Sequence, residues 1–220
     1  PVPVGTSRYR VSLRLWLARS QVFMRELQAC ARSIEALSRD IPPDDADARF
    51  SLAMLSANLA VQRDDTDGAL AALPQMLNPP AHADAMAIGG RNNILSWLYM
   101  HRGEYEKARR VQLDAPVLLV DGVPFTGTAG GSLQGRCLVG LSHALEGQMK
   151  QAERIYRSVL QEAEQGGRAL ADPACLAAAL LGDALYELND AAAARALLED
   201  RVEVLELLSI PDSVLRGLRV

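Results

Sequence analysis

Apolar residues recur at three- and four-residue spacing along most of this chain, and short clusters of Gly, Pro, Asp and Asn interrupt the runs they form. Such spacing puts side chains on one face of a helix, and the clusters mark turns. The pattern predicts five helical hairpins: 7–23 with 25–39, 48–62 with 66–76, 83–101 with 105–114, 133–146 with 149–164, and 172–188 with 191–209. Ile41-Pro42-Pro43-Asp44-Asp45 separates the first from the second, and Asn78-Pro79-Pro80 closes the second. In the last helix Leu198, Val202, Leu205 and Leu208 keep helical spacing.

The hairpins are related to one another. Gly103-Glu104-Tyr105-Glu106-Lys107-Ala108 returns as Gly147-Gln148-Met149-Lys150-Gln151-Ala152, each where one helix stops and another starts. The small Ala lets the second helix lie close against the first. Aligned on Ala31, Ala69, Ala108, Ala152 and Ala194, the units are 38, 39, 44 and 42 residues apart. A strict tetratricopeptide repeat has ~34, and longer helical-pair repeats have ~40–47. Leu95, Ser96, Tyr99, Gly103, Tyr105 and Ala108 follow the tetratricopeptide pattern in the third unit; Val139, Gly140, Gly147, Ala152 and Tyr156 follow it in the fourth. The fifth offers Leu181, Gly182, Leu185, Ala194 and Leu198. No hairpin buries its apolar face alone, so neighbours must stack. The expected fold is all-α: a single helical-repeat domain over 1–220, a right-handed superhelix of about five tetratricopeptide-like hairpins.

One stretch breaks the pattern. Residues 115–131 are apolar and turn-rich without helical period, and structureless loops of that length are uncommon in compact domains. Val117, Leu118, Leu119, Val120, Val123 and Phe125 would be costly to leave in water, so the segment should fold back onto the array. It is either a lid, with Leu119 and Phe125 over the concave face, or an apolar spacer between two hairpins.

Composition narrows the class. The chain has 220 residues, 49% hydrophobic but 5% aromatic, as packed Ala- and Leu-rich helices require, and strands are hard to place. No uninterrupted apolar run of ~18–20 residues is present and no secretory leader pattern opens the chain, so no membrane partner and a cytoplasmic location are expected. Cys30, Cys137 and Cys175 lack CxxC spacing and read as reduced, buried residues. The chain begins Pro1-Val2-Pro3-Val4 and ends with a further helix, from Pro211, whose Val214, Leu215 and Leu218 lack a partner. An array normally finishes on a polar cap, so sequence is expected to continue beyond Val220, with self-association through the apolar end a consequence of the cut or of function.

From about 127 to 220 the residues carry a resemblance. Gly140, His143-Ala144-Leu145-Glu146-Gly147 and Ala152-Glu153 are followed by Ala184-Leu185-Tyr186-Glu187-Leu188-Asn189-Asp190, Ala194-Arg195 and Leu197-Leu198. Glu199-Asp200-Arg201-Val202-Glu203-Val204-Leu205-Glu206 and Ile210-Pro211-Asp212 complete the set. This stretch resembles the helical-repeat region of large ATP-binding LuxR-type bacterial transcriptional activators, the group that includes the maltose-regulon activator; the first half matches by periodicity alone. The resemblance implies a region that senses a small inducer or a regulatory protein, between an ATPase module and a DNA-binding helix-turn-helix module of the same chain. ATP would belong to that flanking module, and no cofactor is expected in this segment.

Other chemistries find little support. No GxxxxGK[ST] phosphate loop occurs, and the glycines from 127 to 135 lack the Lys it needs. Arg25, Arg32 and Arg39 lie on one helix face, with Arg10, Arg14 and Arg19 nearby, but a pI of about 5.4 and a net charge of −4 argue against direct nucleic-acid contact. Residues 1–110 carry +2 and residues 111–220 carry −6. His82, His101 and His143 have no ligand-set spacing, His143 and Glu146 alone do not make a metal site, and no GxSxG elbow exists. Neither an enzyme nor a metal centre is expected.

Binding remains. In tetratricopeptide-like hairpins the first helix lines the concave face, and its lining positions here include Trp16, Ser20, Phe23, Met54, Asn58, Asn93, Trp97, Met100, Cys137, Leu141, Asp183 and Tyr186. Trp16, Asn58, Asn93, Trp97, Asp183 and Tyr186 are the candidate ligand contacts; the same apolar positions serve equally to pack neighbouring hairpins. Two functions stay open: an effector-sensing region of a LuxR-type regulator, or a general tetratricopeptide-type protein-interaction scaffold. Peptide-binding grooves of this kind often carry Lys and Asn as carboxylate clamps, and the absence of Lys at these positions tilts the choice toward a small, partly apolar ligand.

Overall fold

Each helix pair is joined by the same left-handed turn. The computed structural model describes the chain apart from residues 1–3, 82, 84, 115–117, 121–122, 126–128 and 209–210. Its first pair is α1 (Val4–Phe23) and α2 (Leu27–Asp40). Next come α3 (Ala46–Gln62) with α4 (Thr66–Ala71) and α5 (Leu73–Leu77), then α6 (Ala85–His101) with α7 (Tyr105–Leu113). After a short hairpin, β1 (Leu118–Val120) and β2 (Val123–Phe125), follow α8 (Ala129–Leu145) and α9 (Met149–Gln165). A 3-10 turn, Gly167–Leu170, leads into α10 (Ala171–Glu187), α11 (Ala191–Leu198), α12 (Val202–Leu208) and α13 (Pro211–Leu218).

At the five turns Arg25, Asp64, Gly103, Gly147 and Asn189 have φ of 59°, 57°, 72°, 81° and 65°. Each donates its amide to the carbonyl three residues back, and the next residue donates to the carbonyl five back, as in Gly103 to Met100 at 2.9 Å and Glu104 to Tyr99 at 2.8 Å. The other four turns repeat both bonds. This is the Schellman closure, which satisfies the last carbonyls of the first helix. The following residue, Glu26, Asp65, Glu104, Gln148 or Asp190, is at once the N-cap of the second helix; Asp65 and Asp190 cap with their carboxylates, accepting from Gly68 and Ala193.

This register fixes the packing. Five residues beyond the left-handed position stand Cys30, Ala69, Ala108, Ala152 and Ala194, each no more than 1% exposed. Seven residues before it stand Ala18, Ala57, Ser96, Gly140 and Gly182, all small and buried. Two rows of small residues therefore bring the helices of each pair into close contact. The anchor expected at Ala31 is corrected: Ala31 is half-buried, and Cys30 occupies the equivalent place, its thiol 3.4 Å from the Ala18 carbonyl. Without a glycine at Arg25 to mark the turn, two adjacent small residues were indistinguishable by spacing.

The chain forms two compact units, Pro1–Ile94 and Leu95–Val220, divided within α6. In the first, Val11, Ala18, Val22, Cys30, Leu37, Ile41, Ala48, Leu55 and Leu59 form one core joining α1, α2 and α3. Pro74 splits the helix expected over 66–76 into α4 and α5, and Arg91 donates to the Met76 and Leu77 carbonyls that end α5. In the second unit α10 packs against α8, α9, α11 and α13 and is buried on most of its circumference. The stretch Gly167–Glu187 is long and apolar enough by length and composition to cross a bilayer, with a mean hydropathy of 1.3, and 61% of it is buried as the unit's core helix. This qualifies the sequence expectation that no such stretch exists.

Three further expectations change. The helix foreseen over 191–209 breaks between Leu198 and Val202, where the Arg201 guanidinium takes the Leu197 carbonyl at 2.6 Å. The terminal helix α13 packs on α10, with Gly217 against Ala179 and Leu205, while its Leu215 and Leu218 stay 66% and 56% exposed. The stretch foreseen as structureless carries the antiparallel ribbon of β1 and β2, in register Leu118 with Phe125, Leu119 with Pro124 and Val120 with Val123. Among the described residues, the regular structure is helical apart from this ribbon.

Candidate functional site

The turn register defines which first-helix residues are equivalent. Six residues before the left-handed position lie Arg19, Asn58, Trp97, Leu141 and Asp183; ten before it lie Leu15, Met54, Asn93, Cys137 and Ala179; three before it lie Val22, Val61, Met100, Ala144 and Tyr186. Asn58, Asn93, Trp97, Asp183 and Tyr186 thus belong to one set of rows. Trp16 does not. The one-residue slip from Cys30 to Ala31 had carried Trp16, Ser20 and Phe23 into positions that Leu15, Arg19 and Val22 occupy. Trp16 stands on a different face of α1, 54% exposed, with the Arg19 guanidinium 5.1 Å from its ring centre.

In the first unit Asn58 and Asn93 are half-buried, and Asn92, next to Asn93, is buried with its side-chain oxygen held by Arg91 at 3.1 Å. In the second unit Trp97 is 4% exposed and lies against His101, ring centres 3.9 Å apart and tilted by 51°. Its indole Nε1–H is buried without a hydrogen-bond acceptor. Trp97 therefore serves the core, and its edge does not present a donor to solvent.

Asp183 and Tyr186 are brought together, and two residues missed in the sequence bring them there. The Asp183 carboxylate, 5% exposed, accepts from Arg216 at 3.0 Å and from Arg219 at 2.7 Å, both on or beside α13. Arg219 also pairs with Glu187 and lies 5.9 Å from the Tyr186 ring centre. Two guanidinium groups thus answer two carboxylates, with an aromatic face alongside. A buried carboxylate is tolerated only with such partners. The signal available in the sequence was the i, i+3 pair Arg216 and Arg219, offset from Leu215 and Leu218 on another face of the same helix.

Further polar ties hold the second unit's helices in place. Gln112 donates to Ser96 at 3.0 Å, and the Ser96 hydroxyl donates to the Ala108 carbonyl at 2.8 Å. Arg109 of α7 pairs with Glu146 and Arg136 of α8 with Glu162; Gln134 donates to Asp172 at 2.8 Å. Glu153 is held below the usual carboxylate range by hydrogen bonds from Arg157 and Lys150. Burial pushes the Cys137 thiol up to about 12, and it raises the Cys30 and Cys175 thiols as well.

The side chains of Leu119 and Phe125, proposed as a lid, lie outside the described residues. Among the described residues no three His, Cys, Asp or Glu side chains converge to hold a metal ion. No protein-family model, curated protein or solved structure matches the chain.

Proposed function

We propose that this chain is the effector-sensing, regulatory helical-repeat region of a LuxR-type transcriptional regulator, acting in the cytoplasm by binding a small inducer or a regulatory protein rather than by catalysis. The observation that carries the reading is the five-fold recurrence of one turn, which sets Arg19, Asn58, Trp97, Leu141 and Asp183 at the same helix position. A repeated scaffold with a different side chain at one equivalent site per unit is how such proteins vary specificity at constant fold. Wound as tetratricopeptide-like hairpins, these rows would line the inner face of a right-handed superhelix. In the first unit Asn58 and Asn93 retain accessible surface, and they are the contacts we assign to an inducer; Tyr186 is accessible in the second unit. ATP and DNA would be handled by flanking modules of the same protein.

The test is a thermal-shift and tryptophan-fluorescence titration of small carboxylates, sugars and aromatic metabolites. A saturable rise in Tm with one compound, abolished by Asn58→Ala or Asn93→Ala while circular dichroism is unchanged, is the expected result. A flat response to every compound would sink the inducer reading. The second reading, a protein-interaction scaffold, is favoured by one specific observation: Asp183, Glu187 and Tyr186 already hold an arginine-bearing helix, α13.

A further inference from the structure

The helix α1 contains four arginines and no acidic residue, and it exposes a run of large apolar side chains. Tyr9, Leu13 and Trp16, spaced four and three apart, are 73%, 61% and 54% exposed and form one stripe on the side of α1 opposite its buried Val11, Ala18 and Val22. A hollow of about 260 Å³ runs between α1 and α2, lined by Leu17, Ala29 and Ala36 together with Gln21 and Ser33. Arg14 and Arg32 stand at its sides. Arg14 pairs with Asp40, while Arg32 is exposed and has no hydrogen bond or ion pair among the described residues. Exposed apolar surface of this size on a folded helix marks an interaction site.

We infer that this face of α1 and α2 docks an acidic amphipathic helix of a partner protein. The partner's apolar stripe lies across Tyr9, Leu13, Trp16 and Leu17, and its carboxylates meet Arg14, Arg32 and Arg10. The spacing of the exposed residues offers one continuous apolar stripe to the partner, and the arginines select a helix of negative charge. The hollow between α1 and α2, with Arg14 and Arg32 at its sides, suits a helix laid along it. A second copy is disfavoured by charge: the exposed leucines of α13, Leu215 and Leu218, sit beside Arg216 and Arg219, which would face the arginines of α1. This inference concerns side chains other than Asn58 and Asn93 and stands or falls independently of the inducer reading.

The experiment uses the full 220-residue chain and a fluorescein-labelled synthetic peptide about five helical turns long, with Leu at i, i+4 and i+7 spacing and Glu on the other faces. Anisotropy should show saturable binding, weakened about ten-fold by Arg32→Glu and again by moderate salt, with a change in Trp16 emission that Trp16→Phe removes. A peptide of the same composition in shuffled order should not bind. The inference is overturned by absence of binding, by equal binding of the shuffled peptide, by insensitivity to Arg32→Glu with the variant folded by circular dichroism, by binding to phosphatidylserine vesicles in place of the peptide, or by a concentration-dependent dimer that Leu13→Glu dissolves.

Discussion

The ring of Tyr156 on α9 lies directly over the backbone of Gly140 on α8: a Cβ built on Gly140 would stand 2.4 Å from Tyr156 Cε1. Leu198 covers Gly182 in the same way, with Cδ1 2.6 Å from a built Cβ. In the third hairpin the corresponding pair is polar, Gln112 bonding to Ser96. Each pair joins the residue seven before the turn to the residue nine after it, a large side chain filling the space a small one vacates.

Gly140→Ala should therefore destabilise the chain by about 1–2 kcal/mol, since overpacking costs more than the entropy gained from removing a helical glycine. Gly89→Ala, where nothing lies within 4 Å of a built Cβ, should stabilise by about 0.5–1 kcal/mol. Opposite shifts in thermal midpoint are the check, and equal shifts would show that Tyr156 yields.

The left-handed turns make a second pair of opposite expectations. Gly103→Ala and Gly147→Ala should each cost about 1 kcal/mol, because an L side chain at their φ is strained although the space is open. Arg25→Gly should gain several tenths of a kcal/mol, more than Asn189→Gly, since Asn tolerates this region better than Arg. Urea midpoints of the four variants order the effects.

Removing the Asp183 carboxylate should loosen α13. Asp183→Ala removes the carboxylate to which both Arg216 and Arg219 donate in a largely covered site and should cost about 2–3 kcal/mol, whereas Arg219→Ala, at a half-exposed side chain, should cost less than about 1 kcal/mol. Hydrogen exchange over Pro211–Leu218 should accelerate in the first variant. Unchanged exchange there would show that apolar packing alone holds the helix.

The thiols supply a chemical and a pH test. With Cys30, Cys137 and Cys175 all buried, Ellman's reagent should find no fast thiol in the native chain and three after unfolding. Burial raises each folded thiol pKa above its ordinary value, Cys137 to about 12. Above pH 9 the unfolded chain therefore releases thiol protons that the fold retains, and stability falls as pH rises toward 12. Cys137→Ala should flatten that fall, read as denaturation midpoints from pH 8 to 10.5.

Trp97→Phe should cost no more than about 1 kcal/mol, because it removes an indole N–H buried without an acceptor along with some packing area. Trp97→Ala should cost about 3–5 kcal/mol through the cavity it opens. In Trp16→Phe the remaining emission should resist acrylamide quenching, as Trp97 is 4% exposed.

Helical periodicity, the glycines at 103 and 147 and the buried Ala69, Ala108, Ala152 and Ala194 were legible in the amino-acid sequence, because they depend on contacts within one hairpin. The first hairpin was misread by one residue. Its turn uses Arg25 at a positive φ, a conformation that residue type does not announce, and the choice of Cys30 over Ala31 followed from backbone geometry. That slip moved Trp16 from an outward face to a lining position.

What the sequence determined by itself was local: where helices begin and end to within a few residues, which turns need left-handed backbone when glycine supplies it, and which small residues let helices touch. What only the tertiary structure decided was which side chains remain available. Asp183 looks like a ligand contact on its own helix, yet arginines 33 and 36 residues later close on it, and Trp97 turns its edge inward beside His101. Side-chain accessibility and ion pairing depend on groups distant in the chain, and helical period carries no information about which of them arrive.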